Sequence, residues 1–91
     1  MINKVKVKNM ISERGNTIAN QFEVYTPEGL YFQSYNSIIC FIDNTGQIWL
    51  DDDKWDYSNT TSKYRNLFLR EKKPETVKKL LKGIYKTTNL N

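Results

Sequence analysis

The spacing of the apolar residues changes after residue 50, and this change constrains the fold more than any other feature of the chain. Between Val5 and Leu50 the apolar residues alternate with polar ones or form a short continuous run, as they do in β-strands. From Tyr64 onward they recur at intervals of three and four, as on one face of a helix. A sheet followed by helices is typical of an α+β domain.

Turn residues divide the first part of the chain into strands. Thr26-Pro27-Glu28-Gly29 has proline and glycine where a type I turn favours them, and Asp43-Asn44-Thr45-Gly46 predicts a second hairpin. Ser12–Asn16 reads as a loop because its Gly-Asn pair tolerates positive φ. Ile38–Ile42 is continuously apolar, which predicts a strand covered on both faces. The predicted strands are residues 4–8, 21–26, 30–36, 38–42 and 47–50.

Two amphipathic helices and a short final strand at residues 84–88 are predicted to follow. The first helix spans about residues 60–70, and the second begins near Pro74 and ends near Gly83. Candidates for the first N-cap are Asn59, Thr60 and Thr61. The helices are expected to pack on Phe22, Phe32 and Ile48 through Tyr64, Leu67, Phe68, Val77, Leu80 and Leu81. We therefore predict one α+β domain over residues 1–91, a twisted antiparallel sheet of about five strands with two helices packed on one face.

Charge is distributed unevenly along the chain. Residues 1–50 carry four cations and four anions, residues 51–59 carry four aspartates and one lysine, and residues 60–91 carry nine cations and two glutamates. The last third therefore has a net charge of +7 behind an acidic segment of −3. This asymmetry favours an anionic partner, either a nucleic acid or an acidic protein surface.

The residue types exclude several kinds of chemistry. The chain has no histidine, so neither a histidine general base nor a catalytic triad can form. Cys40 is the only cysteine, which excludes a disulfide scaffold. Asp51–Asp56 is acidic, but Asp56 and Ser62 occupy the places where a calcium-binding EF-hand needs glycine and glutamate. We predict no enzymatic activity, no catalytic residue, no cofactor, no metal and no small-molecule substrate.

The strand alternation also predicts a partner-binding face. If Val5, Val7, Phe22, Val24, Leu30, Phe32, Ile48 and Leu50 face inward, the opposite face carries Lys4, Lys6, Lys8, Gln21, Tyr25, Tyr31, Gln33, Tyr35 and Trp49. Cations mixed with aromatic rings could stack bases and hold a phosphate backbone. The same rings could equally form a protein interface or pack beneath a loop or helix. The basic helices offer a second candidate surface, represented by Lys63, Arg70 and Lys79.

Three segments together resemble a known family. They are Arg14-Gly15-Asn16 with Asn20-Gln21-Phe22, then Tyr31–Ile39, then Trp55–Leu69. They resemble a family of small proteins of unknown function found mainly in bacteriophage genomes and prophages. The resemblance implies a phage accessory protein, and such proteins often bind and block host machinery, including defence nucleases.

The sequence as a whole predicts a non-enzymatic binding protein in the cytoplasm of a bacterial host. No apolar run approaches the roughly 20 residues of a membrane span, and no signal peptide is recognised. The predicted partner is a host protein, such as a defence nuclease, which the chain would inhibit or modulate. The alternative is direct binding of nucleic acid, with little sequence selectivity, through the sheet face and the basic helices.

Overall fold

A six-stranded sheet forms one layer of the protein in the computed structural model, which describes residues 4–91 of the predicted 1–91 domain. The strands lie side by side in chain order, and each of the first five is antiparallel to the next. They are β1 Lys6–Ile11, β2 Thr17–Thr26, β3 Gly29–Ser34, β4 Ser37–Asp43, β5 Ile48–Asp51 and β6 Lys86–Thr88.

Two helices, α1 Asn59–Leu69 and α2 Lys73–Leu81, connect β5 to β6. Because the chain crosses one face of the sheet through both helices, β6 returns parallel to β5. The α+β fold with helices on one face is confirmed, and the short final strand becomes the sixth member of the sheet.

The hairpin formed by β2 and β3 depends on Gly29. The hydroxyl of Thr26 accepts hydrogen bonds from the backbone N–H groups of Glu28 and Gly29 and donates one to the carbonyl of Gly29. Gly29 has φ of 147°, and a Cβ there would overlap the carbonyl oxygen of Ile42 on β4. The turn predicted at this position therefore needs glycine for both its conformation and its contact with the neighbouring strand.

The hydrophobic core lies between the helices and the central strands. Phe32, Cys40 and Leu50 are adjacent on β3, β4 and β5 and are fully buried. The ring of Phe68 on α1 stacks on that of Phe32, with 5.5 Å between centroids. The remaining buried apolar residues are Met10, Ile39 and Tyr85, and Tyr64, Leu67 and Leu80 pack against the cluster.

A β-bulge explains the continuous apolar run of β4. Phe32 pairs with Cys40 while Gln33 pairs with Ile38, so Ile39 is the extra residue on β4. Ile39 and Cys40 are both fully buried, although they are consecutive. Phe41 points to the other side of the sheet, where no helix packs among the described residues. The prediction of a strand covered on both faces is therefore wrong.

The facing of α2 also differs from the prediction. Leu80 packs against the core as expected, but Leu81 is 84% exposed and Thr76 is fully buried in its place. Phe22 lies on the sheet face away from the helices, so the helices cannot pack on it. The N-cap of the first helix lies one residue before the first candidate, because Ser58 caps the helix and its hydroxyl accepts from the backbone N–H of Thr61 at 3.1 Å.

Candidate partner-binding surfaces

Strand register divides the predicted partner-binding residues between the two faces of the sheet. Lys6 lies beside Tyr25, and Tyr25 lies beside Leu30, in a row on the helix-bearing face. Lys8 lies beside Glu23, which in turn adjoins the buried Phe32 on that face. The prediction that these lysines share a face with Tyr31 and Trp49 is therefore wrong.

The other predicted members of that face lie elsewhere. Lys4 is exposed and precedes β1, and Tyr35 is half-exposed in the turn between β3 and β4 with φ of 54°. The alternation misled because α1 contacts β3 and β4 and leaves the outer ends of β1 and β2 uncovered. Lys6 and Lys8 can therefore occupy the helix-bearing side while remaining in water.

The sheet face without helices, which we call the open face, carries a row of apolar and aromatic residues. One line of directly paired residues crosses all six strands, with the three rings at its centre. The row consists of Val7, Val24, Tyr31, Phe41, Trp49 and Lys86. Sequence reasoning placed only Tyr31 and Trp49 in a binding surface. It missed Phe41, because the continuous apolar run of β4 does not show which of its side chains share a face.

The rings of the open face are held in place by their neighbours. Tyr31 and Phe41 stack with 4.2 Å between centroids and 15° between planes. The indole Nε1 of Trp49 donates to Asp43 Oδ2 at 3.0 Å, and the ammonium of Lys86 lies 5.7 Å from the indole centroid. A shallow depression of about 360 Å³ lies beside these three rings and is also lined by Asp43, Thr88 and Leu90.

Asp43 orients the Trp49 side chain of this row. Its carboxylate accepts hydrogen bonds from Thr45 and from Trp49, and these lower its pKa to about 2. The carboxylate is therefore ionised at neutral pH and holds the indole in one orientation.

A second surface, which we call the basic groove, lies on the helix side between the β1–β2 loop and α1. Its volume is about 690 Å³. Four cations line it, together with Tyr64 and Leu67. The cations are Arg14, Lys63, Arg70 and Lys72. The structure thus brings together three cations of the basic helices, Lys63, Arg70 and Lys72, with Arg14, which sequence reasoning did not select. Arg14 was missed because it is almost 50 residues from Lys63 in the chain.

Lys79 does not belong to this groove and is held by Glu71. Its ammonium is 2.7 Å from Glu71 Oε1, which also accepts a hydrogen bond from the Tyr85 hydroxyl at 2.7 Å. The hydroxyl of Thr76 donates to the other oxygen of Glu71. Burial opposes ionisation of Glu71, but these donors outweigh it and lower its pKa. Lys79 therefore joins α2 to the core, and a partner-binding role for it is not favoured.

The acidic segment is engaged in structural contacts. Asp51 is buried and accepts from the backbone N–H groups of Asp53, Lys54 and Leu90. Within residues 4–91 no three of the aspartate, glutamate and cysteine side chains are grouped as a metal site requires.

Asp56 pairs with a fully buried cation. The Nη1 atom of Arg65 lies 3.0 Å from Asp56 Oδ1, and Lys73 contacts the other oxygen. Burial alone would raise the pKa of Asp56, but the hydrogen bonds from Lys73, Ser62 and Arg65 outweigh it and lower the pKa to about 2. Part of the positive charge of the last third is therefore neutralised inside the protein.

Cys40 is buried in the core, and burial raises the pKa of its thiol. The neutral thiol packs between β3 and β5 as a small apolar side chain.

The fold and its two surfaces define a two-layer α+β domain with a basic helix side and an apolar open face. The chain belongs to a family of unknown function, DUF8033, whose pattern matches residues 5–83. Comparisons with curated proteins and with solved structures found no match. In the described part of the chain, neither helix has the length and hydrophobicity needed to span a membrane.

Proposed function

We propose that this protein is a non-enzymatic binding protein that docks a partner protein through the open face. The observation that carries the proposal is the row of rings Tyr31, Phe41 and Trp49, at the centre of a sheet face that neither helix of residues 4–91 covers. Aromatic residues are enriched in the buried centres of protein interfaces, where tyrosine and tryptophan are frequent hot spots.

The charge of the open face favours a protein over a nucleic acid there. Lys86 is the one cation of the row, and it already lies over the Trp49 ring. Lys6 and Lys8 lie on the helix-bearing side, so they cannot hold a phosphate backbone against these rings. Binding of a nucleic acid depends mainly on phosphate contacts, and this row offers a single cation for them.

The open face is also prepared for binding before a partner arrives. Stacking orients Tyr31 and Phe41, and the hydrogen bond to Asp43 orients Trp49. Side chains that are already ordered lose less conformational entropy on association, so more of the contact energy contributes to affinity.

The proposed partner is a protein of the bacterial host's nucleic-acid-handling or defence machinery, which the chain would inhibit or modulate inside the host cell. The support for this identity is the resemblance of the three sequence segments to small phage and prophage proteins. A phage accessory protein gains its effect by occupying a host surface, which an ordered aromatic patch is suited to do.

A pull-down from nuclease-treated bacterial lysate tests the proposal. We expect the immobilised protein to capture a host protein, and Trp49→Ala to reduce capture at least tenfold, as removal of an interface hot spot does. The matched control is Tyr57→Ala, which removes a ring that is 50% exposed outside the row. Equal loss in both variants, or capture that disappears after nuclease treatment, would contradict docking through the open face.

A further inference from the structure

We propose that the basic groove binds a short segment of single-stranded nucleic acid, independently of the protein partner on the open face. The groove and the open face lie on opposite sides of the sheet. One chain could therefore hold both ligands together.

A single stripe of α1 forms one wall of the groove. Lys63, Asn66 and Leu67 follow the spacing i, i+3 and i+4 on one face of the helix, and Arg70 follows at the C-cap and lines the same groove. The two cations at the ends of this stripe are separated by about 10 Å along the helix axis. Asn66 uses its carbonyl oxygen to accept from Arg65, which leaves its amide group as a donor. The stripe therefore offers donors and positive charge along its whole length.

The positive charge of the groove is not neutralised by its own carboxylates. Ion pairs in residues 4–91 involve Arg65, Lys73 and Lys79, and none involves the four cations of the groove. Of the two glutamates that line the groove, Glu71 is already engaged by Lys79 and Tyr85. The groove therefore has an excess of cations and is complementary to an anionic ligand.

Arg70 occupies a backbone position that usually belongs to glycine. It ends α1 with φ of 57° and ψ of 43°, and its N–H contacts the carbonyls of Asn66 and Leu67. This left-handed conformation is unfavourable for residues with a side chain and is the reason that glycine commonly follows helices. The chain instead places an exposed cation there, at the edge of the groove. Strain of this kind often accompanies a functional side chain.

The apolar part of the groove distinguishes between anions. Ile18, Tyr64 and Leu67 line it and are partly buried against the core. A compact anion would leave this surface unused and could not reach cations that are about 10 Å apart. A single strand has several phosphates and flat bases that stack on rings, so it can use the cations and the apolar surface together.

Fluorescence anisotropy with a fluorescein-labelled twelve-residue oligothymidine tests the proposal. Four phosphate contacts predict a slope near −3 for log affinity against log salt concentration, or about a 50-fold loss between 50 and 200 mM NaCl. We expect Arg70→Gly to weaken binding about tenfold, since a charged hydrogen bond is lost, and to flatten the slope by about 0.7. The variant should also melt a few degrees higher because glycine relieves the strained conformation.

The control is Lys86→Gln, which removes the same charge from the open face and should leave oligonucleotide binding within twofold of the parent. Equal losses in Arg70→Gly and Lys86→Gln would overturn the groove as the site. So would failure to bind at 50 mM NaCl. If a twelve-residue polyaspartate displaced the oligonucleotide when both were present at the same concentration of negative charges, the groove would be a site for an acidic peptide instead. Equally tight binding of a duplex would exclude the single-strand assignment.

Discussion

At the scale of single residues, the turn between β2 and β3 depends on one glycine. We expect Gly29→Ala to destabilise the protein by at least about 2 kcal/mol, because the added Cβ requires both a strained φ and a displaced β4 backbone. Urea denaturation followed by circular dichroism measures the change. Gly46→Ala is the control, since φ there is also positive, at 89°, but no atom lies within 4 Å of the new Cβ. Similar losses at both positions would show that the contact with Ile42 is unimportant.

Asp56 makes stability depend on pH. Its pKa falls from 3.8 to about 2 in the folded protein, so the folded state holds the proton less tightly than the unfolded state. This stabilisation is complete above about pH 5 and is lost as the pH falls toward 2. We expect Asp56→Asn to cost about 3 kcal/mol at pH 7, since Arg65 stays buried without its counterion, and to lose less further stability in acid.

Urea denaturation at pH 7, 4 and 2 measures this difference. The exposed Asp52 provides a matched control, because Asp52→Asn removes a charge from the same segment without affecting the buried arginine. If Asp52→Asn and Asp56→Asn gave the same pH dependence, the ion pair would not be the source of the effect.

At the scale of secondary-structure elements, α2 shows how a helix can be predicted correctly and still face the wrong way. Its stripe of Val77, Leu80 and Leu81 suited a buried face, but the structure buries Thr76 fully, Leu80 in part and leaves Leu81 exposed. The hydroxyl of Thr76 donates to Glu71, which satisfies a polar group that would otherwise be costly inside the protein. A hydrogen-bonding partner from the preceding loop therefore decided the rotation of the helix.

Adjacent leucines on α2 test this rotation. We expect Leu80→Ala to lower the free energy of unfolding by about 2 kcal/mol, because it leaves a gap against the core. Leu81→Ala should change stability by less than about 0.5 kcal/mol, since the side chain is 84% exposed. Thermal or urea denaturation of the two variants gives the comparison. A larger loss in Leu81→Ala would mean that α2 faces the sheet as the sequence pattern indicated.

At the scale of the whole molecule, a single layer of helices determines where the two proposed surfaces lie. A chain of 91 residues has enough helix to cover one side of a six-stranded sheet. Within residues 4–91 no helix lies on the other side, which carries three rings across adjacent strands beside Thr88 and Leu90. Since the same helices bring Lys63 and Arg70 opposite the β1–β2 loop, both proposed surfaces result from one packing arrangement.

The sequence by itself determined the elements, their order and the α+β class, because apolar spacing, proline and glycine are local properties of the chain. It also determined the basic character of the last third. Tertiary structure alone decided which residues of each strand lie on the helix-bearing side of the sheet. Alternation in β1 and β2 permits either orientation, and only the register with β3 places Lys6 and Lys8 on the helix side. It likewise assembled the basic groove, since Arg14 meets Lys63 and Arg70 through folding and not through any spacing along the chain.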